Sequence, residues 1–94
     1  MEPKNEYVRP NWADMLTSPD WRERSAGEYL FISEKIANLE KMLQDYSAKK
    51  LKFQPNCSLE LLTTQLIHMK AYQQILSLRL NIENLTELVE SNKY

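Results

Sequence analysis

SLELLTTQLIHMKAYQQILSLRLNIENLTELV, residues 58–89, is the stretch whose reading decides the fold. Its apolar residues recur at spacings of three and four, the period of an α-helix. Leu62, Leu66, Met69, Leu76 and Leu80 share one side. Ile67, Ala71, Ile75, Leu78, Ile82, Leu85 and Val89 share the opposite side. Polar ridges separate them, one with Thr63, Lys70, Gln74, Ser77 and Asn81, the other with Gln65, His68, Arg79 and Glu83. A surface helix needs one apolar stripe. A helix with two must be covered on two sides, and a chain this short does not obviously supply both covers. The pattern therefore points to self-association before it points to any chemistry.

The preceding half supplies one cover. Thr17-Ser18-Pro19-Asp20 reads as a helix start, with Ser18 as N-cap, Pro19 at the first helical position and Asp20 against the positive end of the helix dipole. The helix is expected over 19–48. Tyr29, Ile32, Ile36, Leu39, Leu43 and Tyr46 make a heptad-like seam for a second helix. Leu30, Phe31 and Met42 lie off that seam and hint at another contact, and Gly27 weakens the helix slightly. Residues 49–56 form a loop with three lysines suited to the helix C-terminus; Phe53 is expected to pin it to the core, and Pro55 stops the helix. Ser58 caps the next helix, over 58–89, and 90–94 are expected to fray. Upstream, 1–10 reads as a flexible arm whose Tyr7 and Val8 can dock, followed by a short helix over 11–17 with Asn11 as cap. The fold class is all-α, one domain: a short N-terminal helix plus a long antiparallel helical hairpin that oligomerises through two apolar faces.

Composition excludes several classes. The net charge of −1 argues against polymeric nucleic acid, whose binders carry a basic surplus, but leaves room for a small anion. The single cysteine, Cys57, allows no internal disulfide and no cysteine metal cluster. No run is long enough to span a bilayer, and MEPKNEYVRP lacks the apolar core of a signal peptide. The expectation is an intracellular, soluble protein with no membrane partner. His68 reads as a solvated ridge residue, since no partner or nucleophile is signalled beside it. No phosphate loop, dinucleotide fingerprint or zinc motif occurs. An enzyme is not expected, and no cofactor or metal.

One cluster draws attention. Trp21-Arg22-Glu23-Arg24 sets an aromatic ring beside two guanidiniums, a set able to stack a base and bind phosphate. The plainer reading makes Trp21 core and the arginines solvated. Lys35 follows four turns on, about 20 Å away at 1.5 Å per residue. Trp21 and Lys35 can therefore meet one small ligand only from different protomers, or if the ligand bridges widely.

Arg24-x-x-x-Glu28-x-x-x-Ile32-x-x-Lys35-Ile36-x-x-Leu39-x-x-Met42-Leu43 and then Leu61-Leu62-x-x-Gln65-Leu66-x-x-Met69-Lys70-x-Tyr72-x-x-Ile75-Leu76-x-x-Arg79-Leu80 together resemble a bacteriophage family, the anti-CBASS cyclic-nucleotide sponges (the second anti-CBASS family described). The likeness runs from about Trp21 to Leu80, and the second-helix motif is its specific part. It implies all-helical homohexamers, trimers of dimers, in the host cytoplasm. Such proteins hold cyclic dinucleotides between protomers, release them unchanged, and so starve the host's cyclic-nucleotide-activated effectors. Some also hold cyclic trinucleotides near the three-fold axis. Carried over by position, Trp21 stacks on a base and Lys35 meets a phosphate. Arg79 and Ala37 fall at the trinucleotide site, where alanine cannot give the hydroxyl hydrogen bond of some members' threonine. Arg22, Arg24 and Trp12 are further ligand candidates, Trp12 through a leader that closes over the ligand. The alternative class is a helical oligomeric adaptor that binds a host or phage protein through an apolar groove.

Overall fold

The computed structural model describes residues 11–92; the arm over 1–10, with Tyr7 and Val8, and the last two residues lie outside them. Among the described residues there are four helices and no strand: α1 (Asn11–Met15), α2 (Trp21–Ser47), α3 (Leu59–Ile82) and α4 (Thr86–Ser91). The fold is all-α. α2 and α3 run antiparallel. Glu40 meets Lys70 at 2.5 Å and Gln73 donates to Ser33 Oγ at 3.0 Å, so the partner numbers run in opposite directions.

The caps explain most of the boundaries. Ser58 accepts from Leu61 N–H at 3.1 Å, as its position predicts. At the start of α2 the expectation needs correcting. Asp20, not Ser18, is the N-cap: its backbone is extended and its carboxylate accepts from Arg22 N–H at 3.0 Å. Ser18 instead accepts from Asp20 N–H and donates to Glu23, so it braces the turn before the helix. A carboxylate outcompetes a hydroxyl here because it carries charge toward the positive end of the dipole.

The C-terminal ends of α2 and α3 share one device. Lys49 (φ 59°) and Asn84 (φ 58°) are left-handed. Around the second, Leu85 N–H reaches Leu80 O at 2.8 Å and Asn84 N–H reaches Asn81 O at 3.2 Å, the paired bonds of a Schellman ending. The expected helix over 58–89 therefore stops at Ile82 and reverses into α4. Asparagine tolerates the left-handed region better than most residues, and Leu85 is drawn onto Leu80 in the core.

This turn relocates the core. Met15, Ala26, Leu80, Leu85 and Val89 are buried together, with Tyr29, Leu30 and Leu88 against them. They lie where α1 and α4 close the open end of the hairpin. Gly27 belongs to this closure: a Cβ there would sit 2.7 Å from Met15 Cβ and 3.2 Å from Leu16 N. Along the hairpin, Ile36, Leu62 and Leu76 are buried and the rest of the α2 seam is half-buried. Phe53, expected to pin the loop, is 60% exposed, while Leu51 and Pro55 are half-buried.

The two faces of α3 are treated differently. Leu62, Leu76 and Leu80 are buried, whereas Ile67, Ile75, Leu78 and Ile82 are each more than half exposed. Leu85 and Val89, assigned by period to that second face, are buried because the chain reverses before reaching them. The radius of gyration is 16.0 Å, against about 12 Å for a compact chain of this length. The least extent is 18 Å, a layer under two helix diameters thick.

Candidate functional site

Arg24, Glu28, Phe31 and Lys35 are spaced four, three and four apart, which puts all of them on one face of α2. α1 lies across this face. Trp12 meets the Phe31 ring edge-on, with centroids 4.8 Å apart and planes at 61°. Its indole N–H donates to Glu34 Oε1 at 3.2 Å. Lys35 Nζ sits 5.8 Å from the Phe31 centroid, within cation–π range. The aromatic contact that Phe31 promised is thus made with α1.

α3 completes the wall on the other side. Tyr72 donates its hydroxyl to Glu28 Oε2 across the hairpin. That bond to the carboxylate, with partial burial, holds the Tyr72 phenol above its ordinary value. Between the helices lies a cleft of about 450 Å³ lined by Leu16, Arg24, Glu28, Phe31, Ile32 and Tyr72. Arg24 is oriented at its rim by donating Nη1–H to Ser18 O at 2.7 Å. A larger hollow of about 590 Å³ lies at the loop end. Glu40 is its charged member and no cation lines it, so its charge disfavours an anion.

The other predicted residues scatter. Trp21 is 49% exposed, so it is not core. It opens α2, fourteen positions before Lys35, and the chain does not bring the two together; the rise between them is about 21 Å. Arg22 is engaged with Asp20 through Nε at 3.2 Å and Nη2 at 3.1 Å. That pairing lowers the Asp20 carboxyl and raises Arg22. Arg79, exposed near the end of α3, stands 3.9 Å from Glu83. Ala37 is exposed on α2, across from the Lys70–Gln73 stretch and roughly two turns from Arg79. None of the clefts described above is lined by Trp21, Arg79 or Ala37. Trp12, Arg24 and Lys35 all gather round Phe31.

The profile of a family described as Sequestin matches residues 19–82, more than half of the chain. The chain belongs to the Sequestin family. No curated protein and no solved structure matches it. The Sequestin segment covers α2, the loop and α3, and thus Trp21, Arg24, Glu28, Phe31, Lys35, Tyr72 and Arg79. α1 and α4 flank it. The family name fits a protein that sequesters a ligand. Phe31, Glu28 and Tyr72 were missed as site residues by period and motif; the four-three-four spacing with Arg24 and Lys35 was the signal that held Glu28 and Phe31, whereas Tyr72 joins them only through the packing of α3 on α2. Among the described residues no group of three His, Cys, Asp or Glu side chains could hold a metal ion. No described helix is long and apolar enough to cross a membrane.

Proposed function

We propose that this protein binds and sequesters cyclic dinucleotide second messengers, and some cyclic trinucleotides, without cleaving them. In that reading it is a phage protein of the host cytoplasm that keeps CBASS effectors unliganded. The observation that carries it is the aromatic and cationic set on α2, exposed Trp21 and Lys35 with half-buried Phe31, inside the segment shared with the Sequestin family. Stacking contributes about 1–3 kcal/mol per base, and charge-assisted bonds to two phosphates add orientation. A closed ring loses little freedom on binding, so these gains are not spent on ordering the ligand. Sequestration requires affinity and abundance rather than turnover, and the reading assigns no catalytic residue.

Trp21 and Lys35 lie too far apart in one chain to hold one ring between them. The reading therefore includes assembly, a hexamer built as a trimer of dimers, with Trp21 of one protomer facing Lys35 of another. The uncovered stripe of Ile67, Ile75, Leu78 and Ile82 supports association, because a monomer rarely leaves such a row in water. The same stripe is what favours the second reading, an adaptor that docks another protein there.

Calorimetric titration with a purine cyclic dinucleotide, followed by recovery of the ligand, tests the proposal. Tight binding with intact ligand is expected, lost by at least tenfold in Trp21→Ala and in Lys35→Glu while the oligomer persists. Absence of heat with every purine and pyrimidine ring would move the adaptor reading ahead, and linear product would revive an enzyme.

A further inference from the structure

The cleft between α1, α2 and α3 contains a feature that a plain phosphate site would avoid. Glu28 places a carboxylate midway along a face whose cations are Arg24, one turn before it, and Lys35, two turns after it. A negative group beside an anionic ligand repels it unless it meets donors on that ligand. Glu28 Oε2 takes the Tyr72 hydroxyl, which fixes the carboxylate's position across the hairpin. Among the described residues Oε1 has no hydrogen-bond partner, and a carboxylate oxygen has capacity for more than one. Phe31 and Tyr72 give the cleft aromatic walls, Leu16 and Ile32 give it apolar ones, and about 450 Å³ accommodates a purine with part of its sugar.

We infer that this cleft is a base-reading subsite that selects guanine, with the Glu28 carboxylate accepting the guanine N1–H and N2–H and Arg24 and Lys35 meeting the phosphates of the ring. The inference rests on the cyclic-dinucleotide reading above and specifies its ligand. Guanine presents two adjacent donors on its Watson–Crick edge, which match a carboxylate. Adenine presents the N1 lone pair at the same place and would set acceptor against acceptor. A buried polar group left unpaired by the wrong ligand is what gives hydrogen-bonding sites their discrimination.

The test is titration of the full chain with cyclic di-GMP, cyclic di-IMP and cyclic di-AMP, in the parent and in Glu28→Gln. In the parent, cyclic di-GMP is expected to bind at least tenfold tighter than cyclic di-AMP. Cyclic di-IMP, which keeps N1–H and lacks the exocyclic amine, is expected between them. Glu28→Gln, whose amide can both donate and accept, is expected to bring the guanine and adenine rings within about threefold of each other. Equal binding of all three rings by the parent overturns the inference and leaves sequestration standing, as does a guanine preference that survives in folded Glu28→Gln. Binding of none of the three by the parent overturns the inference, and the sequestration reading falls with it when mixed and pyrimidine rings give no heat either. The ligand series in the parent decides the matter by itself if the variant does not fold.

Discussion

Gly27 shows how one atom sets the position of a helix. Its site is helical and needs no special backbone angle, so alanine would improve helix propensity by about 1 kcal/mol. The added Cβ would nevertheless stand 2.7 Å from Met15 Cβ and 3.2 Å from a backbone nitrogen, neither of which moves without shifting α1. Overpacking costs roughly 1–3 kcal/mol, so the clash wins. Gly27→Ala is expected to lower the melting temperature and to change Trp12 fluorescence, because α1 carries Trp12 onto Phe31. Unchanged emission with raised stability would mean that α1 has room to move. Tyr72 gives a second handle. Its phenol is held above the ordinary 10.0 chiefly by the bond to Glu28. The folded state thus keeps this proton more tightly than the unfolded chain. The associated stabilisation is complete below pH 10.0 and lost as pH rises through the folded value. An ultraviolet titration of the phenolate should move down toward 10.0 in Glu28→Gln; an unmoved curve would break the Tyr72–Glu28 link.

α3 separates two substitutions that its period alone treats alike. Adjacent Ile75 and Leu76 were both expected to serve assembly. Leu76 is 3% exposed against α2, and Ile75 is 54% exposed. Leu76→Ala should cost about 2–4 kcal/mol as a buried truncation, and Leu76→Glu should unfold the hairpin by burying an unpaired charge. Ile75→Glu should retain the helical circular dichroism and stability of the protomer while shifting sedimentation to a smaller species. If Ile75→Glu sediments like the parent, the uncovered stripe is not the contact between copies. The reversal at Asn84 explains why Leu85 and Val89 take no part in that stripe: the chain turns there and spends them on the core with Ala26 and Met15.

The molecule as a whole is thin and open for its length, with buried residues gathered at the end that α1 and α4 close. Such a layer gains stability from anything bound selectively to its folded form. Saturating ligand at a hundred times its dissociation constant would add about 2.7 kcal/mol. A ligand held between protomers would also make the melting temperature rise with protein concentration. A melting temperature that rises with ligand but not with protein concentration would place the ligand site within one protomer, and one that ignores the ligand would mean that it does not bind.

The sequence by itself determined the all-α class, the two long helices and the cap at Ser58, because helical period and capping are decided by residues three or four positions apart. It also determined that α3 has two apolar faces. Arg24, Phe31 and Lys35 were legible as one α2 face by the same local rule, although only Lys35 and Arg24 were singled out. Tertiary structure decided the rest. Which face of α3 is covered, where Trp12 lands, why Gly27 must be small and which oxygen of Glu28 Tyr72 occupies all depend on pairs far apart in the chain. No short window contains such contacts. They are selected by the burial of surfaces against each other, and that energy exists only once the elements have met.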